Sequence, residues 1–280
     1  MTKHSFGLLN TMQIWRLIDR GPESPEVNMA IDEAIALSGR EGSSPPTLRL
    51  YQWSRPTISL GYFQKAQDTL NLDFCSEKGI GIIRRLTGGR AVYHEQELTY
   101  SMAASNGTEL FGKNLKETFL KIGEGFQKGL EKLGVNISLW EEPVIEGRRS
   151  PLCFSSSSWY ELSVQGKKLM GSAQRRWSNG FLQHGSLLFQ DDPTIYSTFF
   201  RFSSEQNRAK ILSDYQNKAI PLKQILSPLP SLKKLKDSIC SGFEEAFSIR
   251  FQQEDLLPHE KDLVPKLIQE RYGNNEWNLR

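Results

Sequence analysis

Three kinds of residue in this sequence could take part in covalent chemistry: the Cys153 thiol, one of the pair Lys167-Lys168, and the imidazoles of His94 and His184. Cys153 stands in EEPVIEGRRSPLCFSSSS (141–158), an aperiodic stretch whose Pro, Gly, Ser and charge content marks a long surface loop. A thiol there becomes a nucleophile once a nearby cation lowers its pKa. Cys75 (NLDFCSEKG) and Cys240 (KDSICSGFEEAF) fall instead on helical apolar stripes, where cysteine reads as a small buried hydrophobe. In the strand that follows Gly166, Lys168 and Met170 share one face while Lys167 and Leu169 share the other. A single lysine can therefore turn inward; the plainer alternative is a solvated pair at a hairpin tip. Gly171, Ser172 and Ala173 keep the strand thin, as a ligand lying against it requires.

The densest cluster is RRLTGGRAVYH, Arg84 to His94. Its Gly88-Gly89 pair lets backbone N–H groups approach an anion or a carbonyl, and its arginines can make charge-assisted hydrogen bonds. A glycine hairpin carrying exposed arginines is the alternative. His94 and His184 lie in strands that could be neighbours, and each suits a general base or a satisfied core histidine. No CxxC and no clustered His/Cys set is present, so no metal site is expected.

Regular elements must position these groups. Strands are expected at 13–18, 47–53, 57–61, 81–86, 90–94, 97–104 and 135–140, followed by a three-stranded meander over 159–165, 167–177 and 181–189. Ser24-Pro25-Glu26 signals a helix start, with Val27, Ala30, Ile31, Ala34 and Ile35 at helical spacing. Further helices are expected in the 70s up to Gly79, over 112–133 before Gly134, near 231–247 and near 260–270, the chain beyond Pro193 being mainly helical. Strands and helices mix without regular alternation, so the class expected is α+β, a mixed or antiparallel sheet packed with helices.

With 280 residues, 38% hydrophobic and 24% charged, the chain can bury a sizeable core. Its net charge of +3 suits a mildly acidic protein partner and is too weak to indicate nucleic acid. No apolar stretch approaches a bilayer span and the N-terminus lacks a signal-peptide core, so no membrane association and a cytoplasmic location are expected.

Five segments in order, NMAIDEAI (28–35), LRLYQWSRPTISLGYFQ (48–64), RRLTGGRAVYH (84–94), KKLMGSAQRR (167–176) and LQHGSLL (182–188), resemble the lipoate–protein ligase and octanoyltransferase family, whose fold is shared with biotin protein ligase. The resemblance implies a class II biotin/lipoyl protein ligase-like catalytic domain, here 13–250, with a helical tail over 251–280. It implies that Lys168, rather than Lys167, is the active-site lysine. The acyl or acyl-adenylate pocket would be bordered by Arg85, Thr87, Gly88, Gly89, Ala91, Val92 and His94, and across from them by Gly171, Ser172, Ala173, His184 and Gly185.

Three activities occur in that family: ATP-dependent ligation of free lipoate through lipoyl-AMP, which needs ATP and Mg, octanoyl transfer from acyl carrier protein, and amidotransfer between lipoyl-carrying proteins. PLCFSSSSWYEL (151–162) is similar to the cysteine loop of the Gram-positive-type octanoyltransferases, whose thiol precedes the lysine by fifteen residues, as Cys153 precedes Lys168. The resemblance therefore implies octanoyl transfer through Cys153 to a lysine of a lipoyl domain or of the glycine-cleavage H protein, with no cofactor. Val92, Leu169 and Leu182 are the expected lining of an acyl tunnel. A ligase, an amidotransferase and a non-catalytic carrier-binding module are the competing expectations.

Overall fold

β1 (Gln13–Glu23) leads into α1 (Pro25–Arg40), whose start is fixed as its sequence suggests: the Ser24 hydroxyl accepts from the Val27 N–H, and Pro25 occupies the first turn with Glu26. There follow β2 (Thr47–Trp53), β3 (Thr57–Leu60), the short α2 (Ala66–Thr69), α3 (Leu72–Glu77), β4 (Gly81–Arg84), β5 (Val92–His94) and β6 (Glu97–Ser105). α4 (Leu115–Glu131) precedes β7 (Ser138–Leu139), β8 (Leu162–Val164), β9 (Lys167–Trp177) and β10 (Gly180–Leu188). The remainder forms α5 (Pro193–Tyr196), α6 (Glu205–Lys218), α7 (Leu232–Phe247), β11 (Ile249–Gln253), α8 (Pro258–Leu267) with a π-helical turn to Tyr272, and α9 (Asn275–Asn278). This computed structural model describes residues 12–106, 108, 111, 114–139 and 162–280; Cys153 and the whole 141–158 segment lie outside them.

Two sheets make up an α+β fold. The larger has the strand order β11-β1-β2-β6-β10-β9-β8-β7, parallel at β11-β1-β2 and antiparallel elsewhere. The smaller has the order β4-β3-β5, with β3 parallel to β4 and antiparallel to β5. Side chains alternate across β10, which sends Phe181 and Leu187 into the main core beneath α4 and α7 and sends Leu182, His184, Ser186 and Leu188 the other way. The second face receives α1 at one end and the small sheet at the other. Because the two sheets are separate, His94 and His184 do not sit on neighbouring strands: β5 belongs to the small sheet and β10 to the large one.

The stretch after Pro193 holds one strand among its helices. β11 pairs in parallel with β1, Gln13 to Leu17 against Ile249 to Gln253. Ile249 is buried and Phe251 half-buried, so the alternation in IRFQQ spans only its first four residues. α8 packs on α1, and the buried pair Arg16–Glu260 ties β1 to the first turn of α8 through two hydrogen bonds of 2.8 and 2.6 Å.

Candidate active site

A cavity of about 820 Å³, open mouth included, lies between the small sheet and the second face of the large sheet. Its wall is mainly apolar. Met29 of α1, Trp53 of β2, Val92 of β5 and Gly171 to Ala173 of β9 form much of it, with His184, Gly185 and Ser186 of β10 behind. Segments separated by more than a hundred positions in sequence thus meet around one space.

One side of the mouth is the loop between β4 and β5. Gly89 adopts φ +90°, a conformation that side chains with a Cβ rarely take, and a Cβ on Gly61 would lie 2.0 Å from the Gly89 carbonyl oxygen. Both glycines are therefore needed for this loop to lie where it does. Arg85 holds it from within. Its guanidinium donates to Thr87 Oγ1 (3.2 Å), to the Ser59 carbonyl and hydroxyl (2.9 and 3.1 Å), and to the carbonyls of Gly88 (2.9 Å) and Arg90 (2.7 Å). Arg84 and Arg85 are both buried, which rules out a hairpin with two solvated arginines.

Two hydrogen-bonded relays converge on Arg85. In the first, the carboxylate of Asp32 accepts from Arg49 (2.7 Å), Ser101 (2.7 Å) and Tyr51 (2.9 Å), and from His184 Nδ1 at 3.3 Å. A carboxylate can only accept, so His184 carries its proton on Nδ1, and Nε2 accepts from the Thr87 hydroxyl at 2.6 Å. Burial pushes the Asp32 carboxyl upward, but Arg49, His184 and Ser101 outweigh it and hold the group below its ordinary value. Burial likewise lowers His184, against the pull of Asp32, so the imidazole is neutral at pH 7. In the second relay Glu97 Oε1 accepts from His94 Nδ1 (2.5 Å) and Thr99 (2.6 Å), and Oε2 accepts from Ser186. The far nitrogen of His94 shares a hydrogen bond with the Ser59 hydroxyl at 2.7 Å, and Trp53 stacks on the ring at 4.4 Å between centroids. Each imidazole has a partner at both nitrogens.

Of the residues singled out in the sequence, Arg85, Gly89, Val92, His94, Gly171, Ser172, Ala173, His184 and Gly185 border the cavity. Thr87 lies directly behind His184, and Ala91 is buried beneath the small sheet among Ile58, Leu60 and Leu188. Lys168 is buried on β9 three residues before Gly171, beside Ser163 of β8, and its carbonyl accepts from the Ile220 N–H. Leu169 and Leu182 do not line the cavity: the first enters the core under α4 and α7, the second packs on Ile31 and Ile35 of α1. The two described thiols are poor nucleophiles. Burial raises Cys75 to about 11, and burial together with Glu244, Asp237 and Asp19 raises Cys240 to about 12.

Asp32, Glu97 and Ser59 were not among the expected site residues. Asp32 had a signal: it stands within the helical stripe formed by Ala30, Ile31, Ala34 and Ile35, where an acid is out of place unless paired. Glu97 and Ser59 had none: Glu97 stands at the very start of β6, where an acid is commonplace, and Ser59 sits in the four-residue β3.

The same fold occurs in known proteins. The family model for the lipoyl protein ligase A/B catalytic domain matches residues 24–244, and the chain belongs to that family. A relative from Kyrpidia tusciae, named Octanoyltransferase LipM, is 38% identical over 275 residues, covering 96% of this chain and 100% of its own length. Another of that name from Bacillus subtilis is 34% identical, covering 96% and 99%. Among solved structures, a bi-partite lipoate protein ligase from Thermoplasma acidophilum, studied with its E2 lipoyl domain, superposes with a TM-score of 0.81 at 25% identity, covering 95% of this chain and 96% of its own.

Proposed function

We propose that this chain transfers an octanoyl group from the thioester of an acyl carrier protein to Cys153, and from there to a lysine of a lipoyl domain or of the glycine-cleavage H protein. It is an acyltransferase of the octanoyltransferase kind carried by its full-length relatives; the donor, the acceptor and the route are the proposal. The observation that carries it is the cavity, mainly apolar, into which segments 85–94, 171–173 and 184–186 converge.

The apolar wall suits an acyl chain: burying its seven outer carbons at about 0.8 kcal/mol each contributes roughly 5 kcal/mol. That is enough to seat the carbonyl at the mouth and to reject short acids. The Cys153 thiolate attacks the thioester carbon, the carbonyl π electrons move onto oxygen, and collapse expels the carrier's thiolate. One thioester replaces another, so the step is nearly isoenergetic. The acceptor amine then attacks the acyl-enzyme, loses a proton, and returns the thiol as the leaving group. Lys168 is assigned to stabilise the thiolate and the developing oxyanion, with backbone N–H groups of Gly88-Gly89 or Gly171-Ser172. His184, neutral and held at both nitrogens, orients Thr87 and thereby the glycine loop; it does not shuttle a proton.

Incubation with octanoyl–acyl carrier protein without ATP, followed by intact mass measurement, tests this directly. The expected result is a gain of one octanoyl group, removed by hydroxylamine and absent from Cys153→Ser. Labelling of a lipoyl domain from free lipoate, ATP and Mg without such an adduct would make the chain a ligase.

A further inference from the structure

Beyond the Gly88-Gly89 loop the surface changes character. Along β9 it passes from Ala173, on the cavity, to an open shelf where Gln174 and Arg175 meet Tyr62 and Gly88, and then to Trp177 in a second recess. That recess, about 570 Å³ with its mouth, is bordered by Arg40, Tyr62, Arg175, Trp177, Arg271 and Trp277. Its cations lie on rings. Arg40 is 4.4 Å over Trp177, Arg175 is 5.3 Å over Tyr62, and Arg271 is 4.8 Å over Trp277. Arg280 joins the edge at 4.1 Å over Trp277. Among the described residues, the one carboxylate on the recess, Glu33, binds Arg271 and the Tyr272 hydroxyl. Arg40 donates to the neutral Asn179 Oδ1 at 3.0 Å, and Arg175 reaches the Leu86 carbonyl at 3.5 Å. Positive charge therefore exceeds negative charge in a concave, aromatic-walled space.

We propose that this recess binds the phosphate of a pantetheine-type acyl donor, whose arm crosses the shelf so that the thioester enters the cavity. The proposal rests on the carrier-bound thioester reading above and adds a subsite to it. Its first support is chemical: planar guanidinium forks match phosphate oxygens, and stacking on rings orients them without neutralising them. Its second is spacing. Four steps of extended strand lead from Ala173 to Trp177, about 13 Å at the usual rise. Thirteen covalent bonds separate phosphorus from sulfur in such an arm, about 16 Å when fully extended, so a slightly bent arm spans the gap, which no group of the acyl chain itself does. A free fatty acid presents no anion that could occupy both places.

The test compares two small donors, octanoyl-4′-phosphopantetheine and octanoyl-pantetheine, in transfer to an apo lipoyl domain. The native protein is expected to show a KM about tenfold lower for the phosphorylated donor, the value of one charge-assisted contact. In Arg175→Gln the ratio of the two KM values is expected to fall toward one. Arg40→Gln provides a second, independent reading should Arg175→Gln fold poorly. Equal KM values for both donors in the native protein would overturn the subsite while leaving octanoyl transfer intact. So would a phosphate advantage that survives both substitutions. No transfer from either thioester or from octanoyl–acyl carrier protein, with active ligation of free lipoate, would instead overturn the proposed function and the subsite with it.

Discussion

The cavity wall and the helical layer on the opposite face of the large sheet are held in place by different means. At the wall, charged and hydroxyl side chains surround two imidazoles, and position follows from hydrogen-bond direction. In the helical layer, α4 and α7 touch backbone to backbone through glycine: a Cβ on Gly242 would lie 2.1 Å from the Gly129 nitrogen, and Ser238 donates to the Gly129 carbonyl at 2.7 Å. The first arrangement fails when a partner is removed, the second when an atom is added. A reaction site needs directional constraint, whereas the layer behind it needs only shape.

The largest effect is expected at the wall. Asp32→Asn leaves the Arg49 guanidinium buried without its countercharge, which costs about 3–5 kcal/mol, measurable as a lowered urea midpoint, and transfer activity falls with it. Gly242→Ala over-packs the helical layer and costs about 1–3 kcal/mol. Below its unfolding temperature it should keep the native KM for donor and acceptor; a changed KM would mean that the helical layer also shapes the cavity. Thr87→Val removes a hydroxyl from between Arg85 and His184, costs about 1–3 kcal/mol and raises the KM for the octanoyl donor, because the glycine loop loses one of its anchors. The smallest effect is pH dependence. His184 has a lowered pKa when folded, so its contribution to stability is complete above its ordinary value of 6.5 and is lost as the pH falls below it. Asp32, also lowered, adds its loss below its ordinary 3.8. His184→Gln should flatten the first part of the acid limb in thermal melts between pH 7 and 5, and an unchanged limb would assign it elsewhere.

Much of this was legible beforehand. Ser24-Pro25 set the start of α1, the seven residues of β2 have strand ends as expected, and the β8-β9-β10 meander follows its turn residues. These elements have strong local chemistry at their ends. β11 was not legible, because a five-residue edge strand gives too brief an alternation to stand out between two helices. The site divides in the same way. Gly88-Gly89 and Gly171 to Ala173 declared themselves through residue type, since close backbone approach needs small residues. The direction of the arginines did not: Arg84 and Arg85 look like surface cations, and only the tertiary fold shows that carbonyl groups await both. Asp32 and Glu97 owe their place to partners on other elements, Arg49 and Ser101 for the one, Ser186 and His94 for the other.

Arg84 carries a consequence for how the site is completed. Its guanidinium gathers the carbonyls of Gly61, Tyr62 and Gln64 together with those of Trp277, Asn278 and Arg280, while the Asn278 side chain accepts from its backbone N–H. Gly61 is the residue against which the Gly89 carbonyl rests. A growing chain therefore carries this corner of the cavity only half-closed until residues 277–280 have been synthesised and docked, nearly two hundred positions after Arg84. Closure across such a separation is entropically slow and comes late in folding. Acyl donors thus meet a finished binding wall only after residues 277–280 have docked onto Arg84.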